Sequence, residues 1–505
     1  MTKTDELFLL EPRFTRLLHE LDGGKRRIHL HGLVPESTGP FVAALAAQRE
    51  CPVFVVSESA VKARAFTEEL QNAGVARVYT YPEEELQFFK TDSTISPVSR
   101  QRLAVLQEVY AGGTMVVSTT LSALKRRIVP PRRYAESVVT LAVDTSVSEE
   151  EVIRKLVAMR YVRTTSVEHA GEFSVRGDIL DVFPPASKLP YRIEFFDTDI
   201  ERIHSFEVET QRSVDPHEKI LLTPAENLLF TDADCKDVLS RMRVDLKQAE
   251  AVAKKHHLHP NLDKFYHLMD ELETNNHVSN PDLAEAYLND DSTAGLMDYL
   301  PDDAVIVLDD ISRILETEKR RDALALDTYT TLAEQSEILK AHLSHRLTIT
   351  DVYEALGAYA LVNLTQILKS VREFTPDALL QIRSMEAENF NNRWSEFTDA
   401  LHWSQKQKKK IVLAVGSGKE ALAERLLASD ILFTNETPRT RFKDIKDGEI
   451  LLSSLSLGHG FLLPDGNLHI ISRTEIFGKE KKRKAVRRPR RKSDLLNYQD
   501  LAPGD

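Results

Sequence analysis

Residues 171–213, GEFSVRGDILDVFPPASKLPYRIEFFDTDIERIHSFEVETQRS, hold the side chains best suited to chemistry between surfaces. They read as short antiparallel strands with turns at 184–185 and 197–199. If Tyr191–Phe196 is a strand, its side chains alternate with period 2. Ile193 and Phe195 then suit a core, while Arg192, Glu194 and Phe196 share the polar face of a sheet that buries one side only. An exposed aromatic beside an arginine is the usual composition of a protein-binding hot spot. A guanidinium gives bidentate, charge-assisted hydrogen bonds to carboxylates, and a phenyl ring gives a desolvated anchor. The plainer alternative is that Phe196 is covered by another part of the chain and Arg192 pairs with a local carboxylate, since single exposed apolar residues are common.

Other groupings fit catalysis or cofactor binding less well. A phosphate-binding loop needs G-x-x-x-x-G-K-[ST], whose backbone N–H groups, lysine and hydroxyl hold phosphate and Mg²⁺. The corresponding stretch here runs from Gly32 to Gly39 as GLVPESTG, followed by Pro40. The glycine spacing is wrong, Pro35 removes a donor, Glu36 repels phosphate and the lysine is missing, so it reads as a dead loop. Gly416, Ser417, Gly418 and Lys419 follow a good strand, but Leu413 replaces the first glycine and Glu420 the hydroxyl. A turn or helix cap is the better reading. VIVLDD at 305–310 looks like a metal-binding strand end, yet without a partner loop Asp309 and Asp310 are expected to cap the next helix. His256, His257 and His259 lack a nearby Cys, and Pro260 breaks their spacing, so a solvated helix end is expected rather than a metal site. Glu83 and Glu85 read as a solvated turn. No Ser/His/Asp or Cys/His arrangement is visible.

These residues must be positioned by a chain of several domains, since 505 residues suit roughly three or four. Residues 1–137 alternate strands and helices, which argues for a parallel sheet covered by helices. Residues 138–225 are β-rich and open with a helix whose start at 146–149 fits a capping box. Residues 226–365 are mostly helical and return to a parallel-type strand, so they read as the second part of the first domain, with 138–225 inserted. Residues 366–478 form another small α/β unit, and 479–505 are a basic linker with the start of something further.

Composition narrows the class. Hydrophobic residues are 42%, and no apolar run is long enough to span a membrane. The acidic start MTKTDELFLLEPRF lacks the basic region of a secretory signal. Two cysteines, Cys51 and Cys235, make no disulfide framework, which fits a reduced cytoplasm. The net charge is −12, although residues 479–492 carry ten Lys and Arg against one Glu. An acidic body with one basic run is not a nucleic-acid-binding domain in bulk. The run reads as a self-repelling linker, with weak contact to DNA phosphates as the sharper alternative.

The string GEFSVRGDILDVFPP, with PYRIEFFD, IERIHSFE and TQRS at fixed spacing after it, resembles the domain shared by the excision-repair protein UvrB and the transcription-repair coupling factor Mfd. The decayed loop at Gly32 is similar to Mfd rather than UvrB, and GF, TEIFG and the basic run near the end are similar to the front half of Mfd. That resemblance implies a UvrB-like, degenerate RecA-type parallel-sheet domain with an inserted β-rich UvrA-binding domain. It implies an adaptor in transcription-coupled excision repair that recruits UvrA to stalled RNA polymerase through Arg176, Arg192 and Phe196. It further implies no cofactor in this segment. ATP, Mg²⁺, double-stranded DNA and most RNA polymerase contacts belong to translocase and polymerase-binding domains that the family's full-length protein carries. The alternative is a UvrB-like ATPase with an unusual nucleotide loop.

Overall fold

A computed structural model describes residues 3–478 apart from 87, 89–94, 257–261, 276–277 and 345–346. The fold is the mixed α/β class expected. Its centre is a seven-stranded, all-parallel sheet in the order Ala378–Gln381, Arg27–His31, Ala360–Thr365, Val305–Asp309, Pro52–Val56, Met115–Thr119, Val78–Thr80. The central strands PVFVV, MVVST and VIVLD are short, β-branched and almost wholly buried. Such runs need cover on both faces, which the intervening helices supply. The sheet extends to Gln381, past the edge at 365 drawn from the sequence.

The β-rich segment forms a separate six-stranded sheet, ordered Ser213–Pro216, Asp199–Phe206, Tyr191–Phe196, Ile179–Val182, Glu172–Arg176, Val162–Arg163. One face packs Phe173, Leu180, Ile193, Phe195 and Ile203 against Val152 and Leu156 of the helix Glu149–Ala158. The expected capping box does not form there. Ser148 occupies the cap position without a side-chain bond, and the Ser146 hydroxyl instead donates to Asp199 on the hairpin.

The last sheet is ordered Met385–Glu386, Phe461–Leu463, Leu468–Ser472, Lys410–Ala414, Ile450–Ser453, Thr434–Asn435. Phe461–Leu463 is an antiparallel strand that the apolar pattern alone did not separate from its loop. This sheet and the parallel sheet share one apolar core, joined by the N-terminal turn Thr4–Leu10. Phe8 sits 5.5 Å from Phe41 on one side and stacks 6.0 Å from Phe461 on the other. The Glu6 carboxylate accepts from the Phe442 N–H at 2.8 Å. Truncating Phe8 removes packing from both sides at once. Phe8→Ala should cost roughly 3–5 kcal/mol and lower one common unfolding transition; calorimetry that instead showed one sheet melting with the other untouched would contradict a shared core.

Candidate docking face

The sheet that carries Arg192 and Phe196 buries one side; on the other, Ser174, Asp181 and Phe206 are covered, while Arg176, Phe196 and Arg202 are exposed. Ile193 is 0% exposed and Phe196 is 69% exposed, with Phe195 between them facing the core. Phe196 is the last residue of its strand, and the chain turns at Asp197, which takes φ +56°. Left-handed backbone is tolerated best by Asp, Asn and Gly, so the type of residue at 197 suits the tight hairpin.

Arg192 is held rather than free. Its Nε and Nη2 donate to the two oxygens of Asp181 at 2.7 and 2.8 Å, directly across the strand pair. Nη2 also donates to Gln211 Oε1 at 3.1 Å, and the guanidinium lies 4.5 Å from the ring centre of Phe206. Asp181 and Phe206 are buried. The fork to Asp181 raises the Arg192 pKa above the usual arginine range. The plainer reading from pattern therefore holds for Arg192, which pairs with a local carboxylate, and fails for Phe196, which stays open. Arg176 is exposed, and its Nε and Nη2 donate to the Thr165 carbonyl at 3.2 and 2.6 Å.

Register places these groups together. Arg176 opposes Ile179, Ile179 opposes Glu194, and Glu194 opposes Arg202. Ser174, Asp181, Arg192 and His204 form the neighbouring row. Strands lie about 4.8 Å apart and the two rows are two residues apart along the strand, so Arg176 and Arg192 are separated by about 12 Å. Asp181, Gln211 and Phe206 were missed from sequence. Asp181 could have been found once Ile179–Val182 was paired with Tyr191–Phe196, because only that register puts a carboxylate opposite Arg192.

Elsewhere the expectations divide. At the Gly32 loop, the Ser384 hydroxyl accepts from Val34 N at 2.7 Å and lies 2.9 Å from the Ser37 hydroxyl. A Cβ on Gly32, at φ +98°, would meet the Ile382 carbonyl oxygen at 2.6 Å, so the 382–384 segment lies directly on the turn. Gly416–Gly418 form a turn leading into the helix Lys419–Leu427, as expected, and Lys419 Nζ donates to the Glu436 carbonyl at 3.2 Å. Asp310 does stand at the N-cap of the helix Ile311–Glu334, but its side chain accepts no helix N–H. Asn363 Oδ1, on the adjacent strand, takes the Ile311 N–H at 3.0 Å, and Asp310 pairs with Lys369 at 2.6 Å. Asp309 pairs with Lys62 at 2.8 Å. Of the acids read as a solvated turn, Glu85 is exposed, but Glu83 and its neighbour Glu84 are not solvated. Glu83 binds Arg321 and Thr120, and Glu84 meets Arg102, whose side chain is fully buried. Among the described residues no three His, Cys, Asp or Glu groups could hold a metal. His257, His259 and the basic run 479–492 lie outside the described residues.

Residues 139–228 match the family model of the UvrB interaction domain. The whole chain is also similar to transcription-repair-coupling factors. It is 25% identical over 502 residues to that of Bacillus subtilis (strain 168), covering 97% of this chain and 42% of the relative. It is 28% identical over 501 residues to that of Staphylococcus haemolyticus (strain JCSC1435), covering 96% and 41%. The chain thus spans about two-fifths of the length of these relatives. No described helix is long and apolar enough to cross a membrane.

Two outcomes follow from this geometry. Asp181→Ala strips a buried partner from Arg192 and should cost about 2–4 kcal/mol in denaturant melts, less than a fully buried pair because Arg192 is partly solvated; a loss below about 0.5 kcal/mol would mean the pair is not structural. At the Gly32 loop, burial and then the Glu36 carboxylate raise Glu69 to about 7 from 4.5. The native state then holds a proton that the unfolded chain releases, so stability falls as pH climbs from 4.5 through about 7. Glu69→Gln should raise Tm near pH 8, by at most about 3 kcal/mol of stability, and leave it almost unchanged near pH 4.5; equal gains at both would contradict the shift.

Proposed function

We propose that this chain is an adaptor for UvrA in transcription-coupled nucleotide excision repair, with Arg176, Arg192 and Phe196 as the docking residues. The observation that carries the reading is a 69% exposed phenylalanine on the open face of a sheet that belongs to a UvrB interaction domain. Phe196 is the anchor to be desolvated. Arg192, already clamped by Asp181, offers its remaining N–H groups without the entropy of ordering a free side chain. Arg176 supplies a second guanidinium on the same face.

The similarity to transcription-repair-coupling factors supports placing this adaptor beside RNA polymerase, in the cytoplasm. In the full-length protein, motion along double-stranded DNA and ATP hydrolysis with Mg²⁺ would reside in other domains. The Gly32 loop supports this division, because the Gly32 and Val34 N–H groups are spent inside the chain and the Glu36 carboxylate stands beside it. We therefore assign no nucleotide to this segment. Saturable ATP binding in a fluorescence titration would revive the ATPase alternative.

Calorimetry with UvrA tests the adaptor reading. Phe196→Ala and Arg192→Ala should each weaken binding by about 2 kcal/mol or more, near thirtyfold, and Phe196→Ala should leave the melting curve unchanged. Undiminished affinity in both variants, or a collapsed melt for Phe196→Ala, would show that this face serves the fold instead.

A further inference from the structure

A second site lies far along the chain from the docking face. Beyond the carboxyl ends of Val78–Thr80 and Met115–Thr119, residues 83–86, Phe88 and one face of the helix Ile311–Glu334 line a cavity of about 710 Å³. That position lies outside the carboxyl ends of the two strands at one edge of the parallel sheet. The volume falls in the range of small-molecule sites, about 300–1,000 Å³.

Its wall is divided. One end is charged, and its three cations are all consumed. Lys125 Nζ stands 2.6 Å from both Glu318 and Asp322, with its side chain 3% exposed. Arg126 is held by Glu285, Asp282 and Glu84. Arg321 is held by Glu83 and by the Ser122 hydroxyl at 3.2 Å. Six carboxylates line the cavity against these three and the buried Arg102 that meets Glu84, so the wall still carries a net negative surplus. The other end is apolar: Leu86, Phe88, Tyr329 and Leu332, with Phe88 and Tyr329 in edge contact at 5.8 Å. Leu324, 70% exposed, joins this wall.

An anion entering would meet surplus negative charge and cations already neutralised. A plain metal ion would leave the apolar half in contact with water. We propose that the cavity binds an organic cation, an ammonium or guanidinium head on an apolar stem. The head shares the carboxylates of Glu83, Glu318 and Asp322 with Arg321 and Lys125, and the stem lies along Tyr329 and Leu332. The same chemistry is offered by a free alkyl or arylalkyl amine and by a lysine or arginine side chain of a basic peptide.

Isothermal titration of the full chain distinguishes these sources and tests the site. The probes are 4-phenylbutylamine, its matched anion 4-phenylbutyrate, and a short lysine-rich peptide. Leu324→Lys places a competing cation beside the cavity at an exposed helical position, so the fold is retained. The expected result is saturable binding of the amine or the peptide, no binding of the carboxylate, and at least about fivefold weaker binding to Leu324→Lys. Amine binding names a small-molecule site, and peptide binding alone names a partner's side chain. The proposal is overturned if neither cation binds up to about 10 mM, if the anion binds as well as the amine, or if Leu324→Lys, with an unchanged melt, binds the cation as tightly as the parent.

Discussion

Ile193 and Phe195 are buried by a helix and a layer of aliphatic side chains, and that burial decides where Arg192 and Phe196 point. A one-residue slip in register would exchange the two sets, placing a guanidinium in the core and an isoleucine in water. The cost of such a slip fixes the register of Tyr191–Phe196 against both neighbours. Everything proposed for the docking face descends from that constraint. The anchor is open because its strand neighbours are not, and Asp181 faces Arg192 because the same register aligns them.

The docking face and the Gly32 loop illustrate opposite uses of polar groups. On the sheet, the Arg192 fork satisfies Asp181, and its second Nη2 bond goes to Gln211. At the loop, the Ser384 hydroxyl and neighbouring carbonyls take N–H groups that a phosphate-binding turn would keep for its ligand. The Glu36 carboxylate adds the wrong charge for an anion. The parallel sheet also braces other surfaces. The bracing is continuous: Phe8 bridges Phe41 and Phe461, so the last sheet is joined to the first through packed aromatic rings.

Much of this was legible in the residues, for physical reasons. Runs such as PVFVV and VIVLD are too apolar for anything but a sheet buried on both faces, and the period of YRIEFF names its own inside and outside. The exposure of Phe196 followed from that period. What could not be read is what depends on long-range register or tertiary contact. Asp181 is eleven residues from Arg192 and becomes its partner only through strand pairing. Asn363 takes over the cap expected from Asp310 because it lies on the adjacent strand, 52 residues from the Ile311 N–H it accepts. Glu84 looks like a surface acid until Arg102, buried beside it, demands a counter-charge. The common core of the first and last sheets is carried by seven residues at the N-terminus whose pattern resembles any short helical turn.

The central claim is that the open face around Phe196 is where UvrA sits. The most direct measurement is site-specific photo-crosslinking, with a photoreactive phenylalanine at position 196 and, as the control, at position 61, where Val61 is 80% exposed on a different domain. The account predicts a crosslink to UvrA from position 196 and none from position 61. Equal yields at the two positions, or a crosslink from 61 alone, would place UvrA elsewhere and contradict it.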